Sequence, residues 1–411
     1  MCSTRNEGPE DRDAVTQLVD YLRGLLNKEP GRPLYERYQA VLDKVTPRQT
    51  LRAYHLLYEA GTPVADLLDI LDKSINAFHR ALKAASWPRP DPDSFAGYLL
   101  QENAALLARL DAIRQQIMHP ENGGDGTLLA MVSDLQVFEA HYTKKENILF
   151  PFLERKAPYF KGLGIMWALH DEIRRRLKQA RQCLNDPACT VQERRAILGK
   201  LLFGLHGMVF KEELILLPEA SAVLEPAEWD EMLRQCTPDL FPYIDNPPQS
   251  VVADEPLASE EVVLQTATGS LTAAQIEQIF AALPVDMTLV DGQDRVRFFS
   301  RPKERIFPRS PAIIGREVAN CHPPRSVDKV LAIIEAFRQG RENQATFWIR
   351  HCGRFILIQY FALRRRDGAY LGTLEVSQDI TGLRQLEGER RLLAWQDQET
   401  NTKQEVQHEH T

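Results

Sequence analysis

The chain has 411 residues, 44% of them hydrophobic and 26% charged, with 50 Lys and Arg against 57 Asp and Glu for a net charge of -7. That length exceeds one ordinary core and sets an expectation of two or three globular domains. The acidic balance argues against a nucleic-acid partner, and no apolar run approaches the length of a membrane-spanning helix.

Met1 to Glu10 is polar and acidic, without the apolar stretch of an export signal. The six cysteines, Cys2, Cys183, Cys189, Cys236, Cys321 and Cys352, form no CxxC pair. Scattered cysteines suit free thiols, so a reducing, cytoplasmic location is expected.

Residues 12–86 read as three or four short helices. Val15, Leu18, Val19 and Leu22 recur at helical spacing, as do Leu51, Tyr54, Leu57 and Tyr58. Thr46-Pro47 has the form of an N-cap followed by proline at the first helical position, and Gly61-Thr62-Pro63 ends one helix and starts the next. After a proline-rich break at 87–92, four longer helical patterns follow at about 93–118, 127–155, 163–184 and 191–217. Their short joints are rich in Gly, Pro and Asn, which predicts an antiparallel four-helix bundle over 92–236.

Two bundle segments resemble each other: His141-Tyr-Thr-Lys-Lys-Glu146 through Pro151, and His206-Gly-Met-Val-Phe-Lys-Glu212-Glu213 through Pro218. In each, a Glu stands five residues before a proline. The helix between them carries His170. Imidazole and carboxylate together suit iron, manganese or zinc, and carboxylates can bridge two ions inside a bundle. His206 and Glu213 lie about two turns apart and share a face. His141 and Glu146 lie about 140° apart on an ideal helix, so their pairing requires a departure from α geometry. A lone helical histidine is more often a packing residue, but three on consecutive helices, two of them followed by Glu, favour metal binding.

The stretches HYTKKENILFPFLE, MWALHDEIR and MVFKEELILLPEA resemble the hemerythrin-like HHE cation-binding domain. They closely resemble the branch that carries a small helical N-terminal domain (DUF438), which residues 12–86 resemble. The resemblance implies a metal site built from His141, Glu146, His170, His206 and Glu213, with iron, in a di-iron pair, as the expected cofactor and zinc or manganese as alternatives. The family's first bundle helix opens with one or two histidines, and 91–103 has none. Glu102, beside Asn103, is the candidate ligand there. The N-terminal domain's Cys-Asp-x-His element is here Leu71-Asp72-Lys73-Ser74, so its chemistry does not carry over.

Residues 237–270 are rich in Pro, Asp, Glu and Ser and predict a linker. Beyond them the period becomes strand-like, at Met287–Val290, Arg295–Ser300, Thr346–Arg350, Phe355–Leu363 and Tyr370–Val376, with one helix at 326–339. This α+β order, ending in Asp379-Ile380-Thr381, makes 271–383 similar to a PAS domain. Such domains hold haem, flavin or small acids, which makes His322 a candidate cofactor-binding residue. The competing reading is that His322-Pro323 simply starts a helix. Residues 384–411 are expected to form a helical or disordered tail.

The expected class is thus a multidomain chain: an all-α half followed by an α+β PAS domain. The expected function is regulatory sensing of oxygen, nitric oxide, peroxide or iron, by a binding module and not a catalyst. A homodimer through the PAS domain or the C-terminal helix and an unidentified protein partner are also expected. The alternative is a di-iron enzyme or iron-delivery protein for repair under nitrosative or oxidative stress.

Overall fold

The computed structural model describes residues 9–119, 124–248, 262–266 and 268–388. Four helices open it: α1 (Pro9–Leu26), α2 (Gly31–Leu42), α3 (Pro47–Glu59) and α4 (Val64–Ala84). The α3 start follows from its sequence. The Thr46 hydroxyl accepts from the Gln49 N–H, the Gln49 side chain accepts from the Thr46 N–H, and Pro47 occupies the first position.

The bundle begins with α5 (Phe95–Met118), capped by Ser94. Its second arm is not one regular helix. It runs through α6 (Gly124–Asp134), a 3-10 turn at Leu135–Phe138, α7 (Glu139–Lys144), a π turn at Lys145–Leu149 and α8 (Phe150–Lys156). The third arm is α9 (Gly164–Asn185). The fourth is α10 (Val191–Lys211), a second π turn at Glu212–Leu216, and α11 (Leu217–Val223). Each π turn starts six residues before a proline, Pro151 or Pro218, so the internal similarity in sequence is a similarity in backbone. In each, an N–H reaches back five residues instead of four: Phe150 to Lys145 and Leu217 to Glu212. Helix α12 (Pro226–Arg234) closes the helical half.

The small N-terminal helices do not keep a core of their own. One continuous apolar cluster joins Leu18, Leu42, Tyr54 and Phe78 to Leu106, Leu110, Val132, Leu201 and Ile215 of the bundle. A second cluster fills the bundle's other end with Phe95, Leu99, Leu149, Phe150, Leu216 and Leu217. Between the two lies a layer of charged side chains.

Two expectations require correction here. A two-stranded hairpin, β1 (Val262–Thr266) with β2 (Gly269–Thr272), begins in the stretch read as linker and runs past its end. Its Val262, Val263, Thr266 and Thr272 favour an extended backbone more than the surrounding Pro and Glu suggest. Cys183 and Cys189, expected as free thiols, form a disulfide with a Cα–Cα distance of 5.5 Å. The Asn185-Asp186-Pro187 turn folds the six-residue separation back on itself and brings the two sulfurs together, although no CxxC motif marks them.

After α13 (Ala273–Ala282) comes a five-stranded antiparallel sheet of β3 (Asp286–Asp291), β4 (Val296–Phe299), β5 (Gln344–His351), β6 (Arg354–Arg364) and β7 (Tyr370–Asp379). Its order is β4-β3-β7-β6-β5. Helix α14 (Pro324–Arg338) packs Val330, Ile334 and Phe337 against it. Gly372 lies where the β7 backbone crosses β3: an added Cβ would fall 2.1 Å from the Val290 carbonyl oxygen. The Asp379-Ile380-Thr381 end locks the sheet. Asp379 Oδ1 accepts from the Thr381 N–H and hydroxyl, and Thr381 Oγ1 accepts from the Phe355 N–H at 2.7 Å. The expected C-terminal helix lies mostly outside the described residues; Leu383–Gln385 forms a single 3-10 turn.

Candidate metal centre

The charged layer draws on all four arms of the bundle: Glu102 from α5, His141 and Lys144 from α7, Lys145 and Glu146 from the first π turn, His170 from α9, and Glu212 from the second π turn. All are buried, and all but Glu146 have no exposed surface beyond rounding. Such groups remain in an interior only when they satisfy one another.

They do so in an alternating row. Lys144 Nζ donates to Glu102 Oε1. His141 Nδ1 lies 2.6 Å from Glu102 Oε2, and its Nε2 lies 2.9 Å from Glu212 Oε2. Lys145 Nζ donates to Glu212 Oε1, and Asn103 Nδ2 to Glu212 Oε2 at 3.2 Å. With a carboxylate on each ring nitrogen, His141 donates from both, as the protonated ring does. Charges thus run positive, negative, positive, negative, positive. The Lys144 ammonium also sits 4.3 Å from the Phe241 ring centroid, and that of Lys145 lies 5.1 Å from Tyr142.

Burial works to raise the Glu212 carboxyl, but Lys145 and His141 outweigh it and hold it down to about 2. Burial lowers the Lys145 ammonium, against the pull of Glu212.

A second group adjoins the row. His170 Nδ1 lies 2.7 Å from Glu146 Oε1, and Arg174 Nη2 donates to both Glu146 oxygens at 3.1 Å while also pairing with Glu139. Burial pushes the Glu146 carboxyl up to about 7, even with Arg174 opposing. Burial and the nearby Lys145 and Arg174 charges keep His170 neutral, well below its ordinary value. Its ring stacks on Tyr142 at 4.4 Å, and its Nε2 is buried without a hydrogen-bond partner.

The structure therefore brings together Glu102, His141, Glu146 and His170 and leaves out two residues named with them. His206 is half-buried on α10 with Arg114 and Asp111 as its charged neighbours. Glu213 is half-buried, with Arg89 and Asn103 beside it. Glu212 takes the inward position. The cause is the π turn, whose wider winding alters the helical phase at the residue where it begins. The same device in the second arm brings Glu146 inward with His141 despite their five-residue separation. Lys144 and Lys145 were missed altogether; adjacent lysines on a helix ordinarily face water.

His322 starts α14 in company with Pro323 and Pro324, as the competing reading expects. Its Nδ1 donates to the Val318 carbonyl at 2.9 Å, and burial lowers its pKa.

A four-arm bundle with an internal His, Glu and Lys layer, followed by an antiparallel sheet in the order β4-β3-β7-β6-β5, defines a chain that joins a cation-site bundle to a sensory-type domain. The chain carries a hemerythrin HHE cation binding domain, whose family model matches 95–220, and a PAS domain, whose model matches 276–381. The first description implies a metal cation, without naming the metal.

No curated protein is similar enough to match the chain. Among solved structures, it is similar to a C-terminal domain from Streptococcus mutans at 31% identity and a TM-score of 0.29, covering 30% of this chain and 96% of that one. It is also similar to the PAS domain of a protein from Colwellia psychrerythraea at 18% identity and a TM-score of 0.22, covering 26% and 96%.

In the row, Glu102 faces Lys144 and His141, and Glu212 faces Lys145 and His141, while Arg174 is shared among Glu146, Glu139 and Asp171. Both carboxylates of the row already face ammonium groups, and of the two imidazoles only His170 Nε2 is free. Among the described residues, no three His, Cys, Asp or Glu side chains converge as metal ligands do. This arrangement does not fit a two-metal centre.

Proposed function

We propose that this protein is a sensory or regulatory protein in which the buried charge layer of the bundle is the input and the PAS domain, docked directly on it, is the responder. The observation that carries this reading is Arg316. It comes from the PAS domain and is 7% exposed. Its Nη1 donates to the main-chain carbonyl of Glu146, inside the first π turn, at 3.0 Å. Its Nε and Nη2 pair with both oxygens of Glu154 on α8 at 2.9 and 2.6 Å, a two-pronged geometry that fixes orientation. Ser310 adds a hydrogen bond from Oγ to the next carbonyl, that of Asn147, at 2.7 Å. The PAS domain thus holds the backbone of the turn whose side chains form the layer.

A change of charge in the layer reaches those two carbonyls within one residue. Iron, oxygen, nitric oxide and peroxide are the stimuli to screen. The test is amide hydrogen exchange over residues 306–323 of the full chain. His141→Gln, which removes the central positive charge, is expected to change exchange there, and Arg316→Met is expected to abolish that response. Unchanged PAS exchange in His141→Gln, with the bundle still folded, would refute the coupling.

A further inference from the structure

The family to which the bundle belongs takes a metal cation, yet the carboxylates that face the middle of this bundle already face ammonium groups. We propose that Lys144 and Lys145 are the resident cations of the layer, and that the chain holds its cation site closed with its own side chains instead of with metal. This rests on the reading that the buried layer is the fold's cation site.

Three observations support it. First, both lysines are entirely buried, and each Nζ meets one carboxylate, Lys144 with Glu102 and Lys145 with Glu212. A buried lysine without such a role would be costly to keep. Second, each ammonium group also lies against an aromatic ring, Phe241 for Lys144 and Tyr142 for Lys145. They are therefore seated groups and not long chains passing towards solvent. Third, the pairing follows the internal repeat. When the two arms are aligned on Pro151 and Pro218, Lys145 and Glu212 are the equivalent first residues of the two π turns. One arm supplies the cation and the other the carboxylate at the same position.

Removing either ammonium group should undo this state. Lys144→Met and Lys145→Met each remove an ammonium while leaving its carboxylate in a dry interior, where a divalent ion could neutralise it. Wild type and variants would be stripped with EDTA, exposed anaerobically to ferrous iron, manganese or zinc, dialysed, and measured by elemental analysis and thermal melting.

Wild type is expected to retain no stoichiometric metal, with an unchanged Tm. Each Lys→Met variant is expected to melt lower when stripped, to take up an ion, and to recover about 5 °C or more on metal addition. If the single variants fail to fold, Glu102→Gln/Lys144→Met removes both charges together. It is expected to fold, and Lys145→Met is then added to that background to test uptake. Wild type that holds one or two ions per chain would overturn the proposal. So would folded lysine variants that take up none. Neither result depends on exchange in the PAS domain, so the sensory reading stands or falls separately.

Discussion

Glu212→Gln removes one negative charge from the middle of the row and leaves its size almost unchanged. In the folded chain that carboxylate meets Lys145, His141 and Asn103. After substitution, two buried cations face a neutral amide. Removing one partner of a buried ion pair costs about 3–5 kcal/mol, because the remaining charge is stranded. The pKa gives a similar figure: a carboxyl moved from 4.5 to about 2 in the folded chain corresponds to about 3 kcal/mol of preference for the ionised form. The sign follows from the depressed value. This stability is fully present above pH 4.5 and is lost as pH falls towards 2. Urea unfolding at pH 7 should show Glu212→Gln less stable by about 3–5 kcal/mol, with that difference shrinking below pH 4.5. Lys145→Met in the same chain should recover part of the loss, since it removes a stranded charge. A Glu212→Gln protein within about 1 kcal/mol of wild type at pH 7 would show that the row is hydrated and not a dry, mutually satisfied network.

Other outcomes follow from the same structure. Glu146, raised from 4.5 to about 7, makes the folded state less stable as pH rises through that interval. The stability of wild type relative to Glu146→Gln should therefore fall between pH 4.5 and 7, and a rise would contradict the burial argument. Cys183→Ser should cost about 2 kcal/mol by the entropy of closing so short a loop, matched by wild type in reductant; no change in either would argue against the pairing. Trp348 is 62% exposed on the outer strand β5, so if the PAS domain mediates the expected homodimer through that strand, Trp348→Glu should shift sedimentation to the monomer. A wild-type monomer would remove that expectation.

The helices and strands were legible in the sequence because they obey ordinary periods. The four bundle arms and the five PAS strands lie within a few residues of where Gly, Pro and apolar spacing put them. His141, His170 and Glu102 were legible for a different reason, as chemistry-bearing residues in a recognisable local context. Glu212 was not, and its neighbour Glu213 took its place, because a spacing of 3.6 residues per turn puts the wrong glutamate on the inner face where a π turn intervenes. The five-residue step from His141 to Glu146 was the one trace of it. The lysines were illegible because composition assigns them to the surface, and only the closed row shows what they neutralise. The disulfide escaped because pairing at six residues depends on a turn whose shape the spacing alone does not give.

The charge layer separates two apolar clusters within one bundle, Leu106 and Ile215 on one side and Leu99 and Leu216 on the other. Greasy arms alone can slide past one another by a turn at little cost. Here a slide by one turn would drive Lys144, Lys145 and Glu212 into hydrocarbon and part each from its counter-charge. The layer therefore works as a key in a lock, admitting one alignment of the four arms and rejecting its neighbours. With Glu146 and Asn147 pinned in the same stroke to Arg316 and Ser310, the alignment of the bundle also sets where the sheet must stand.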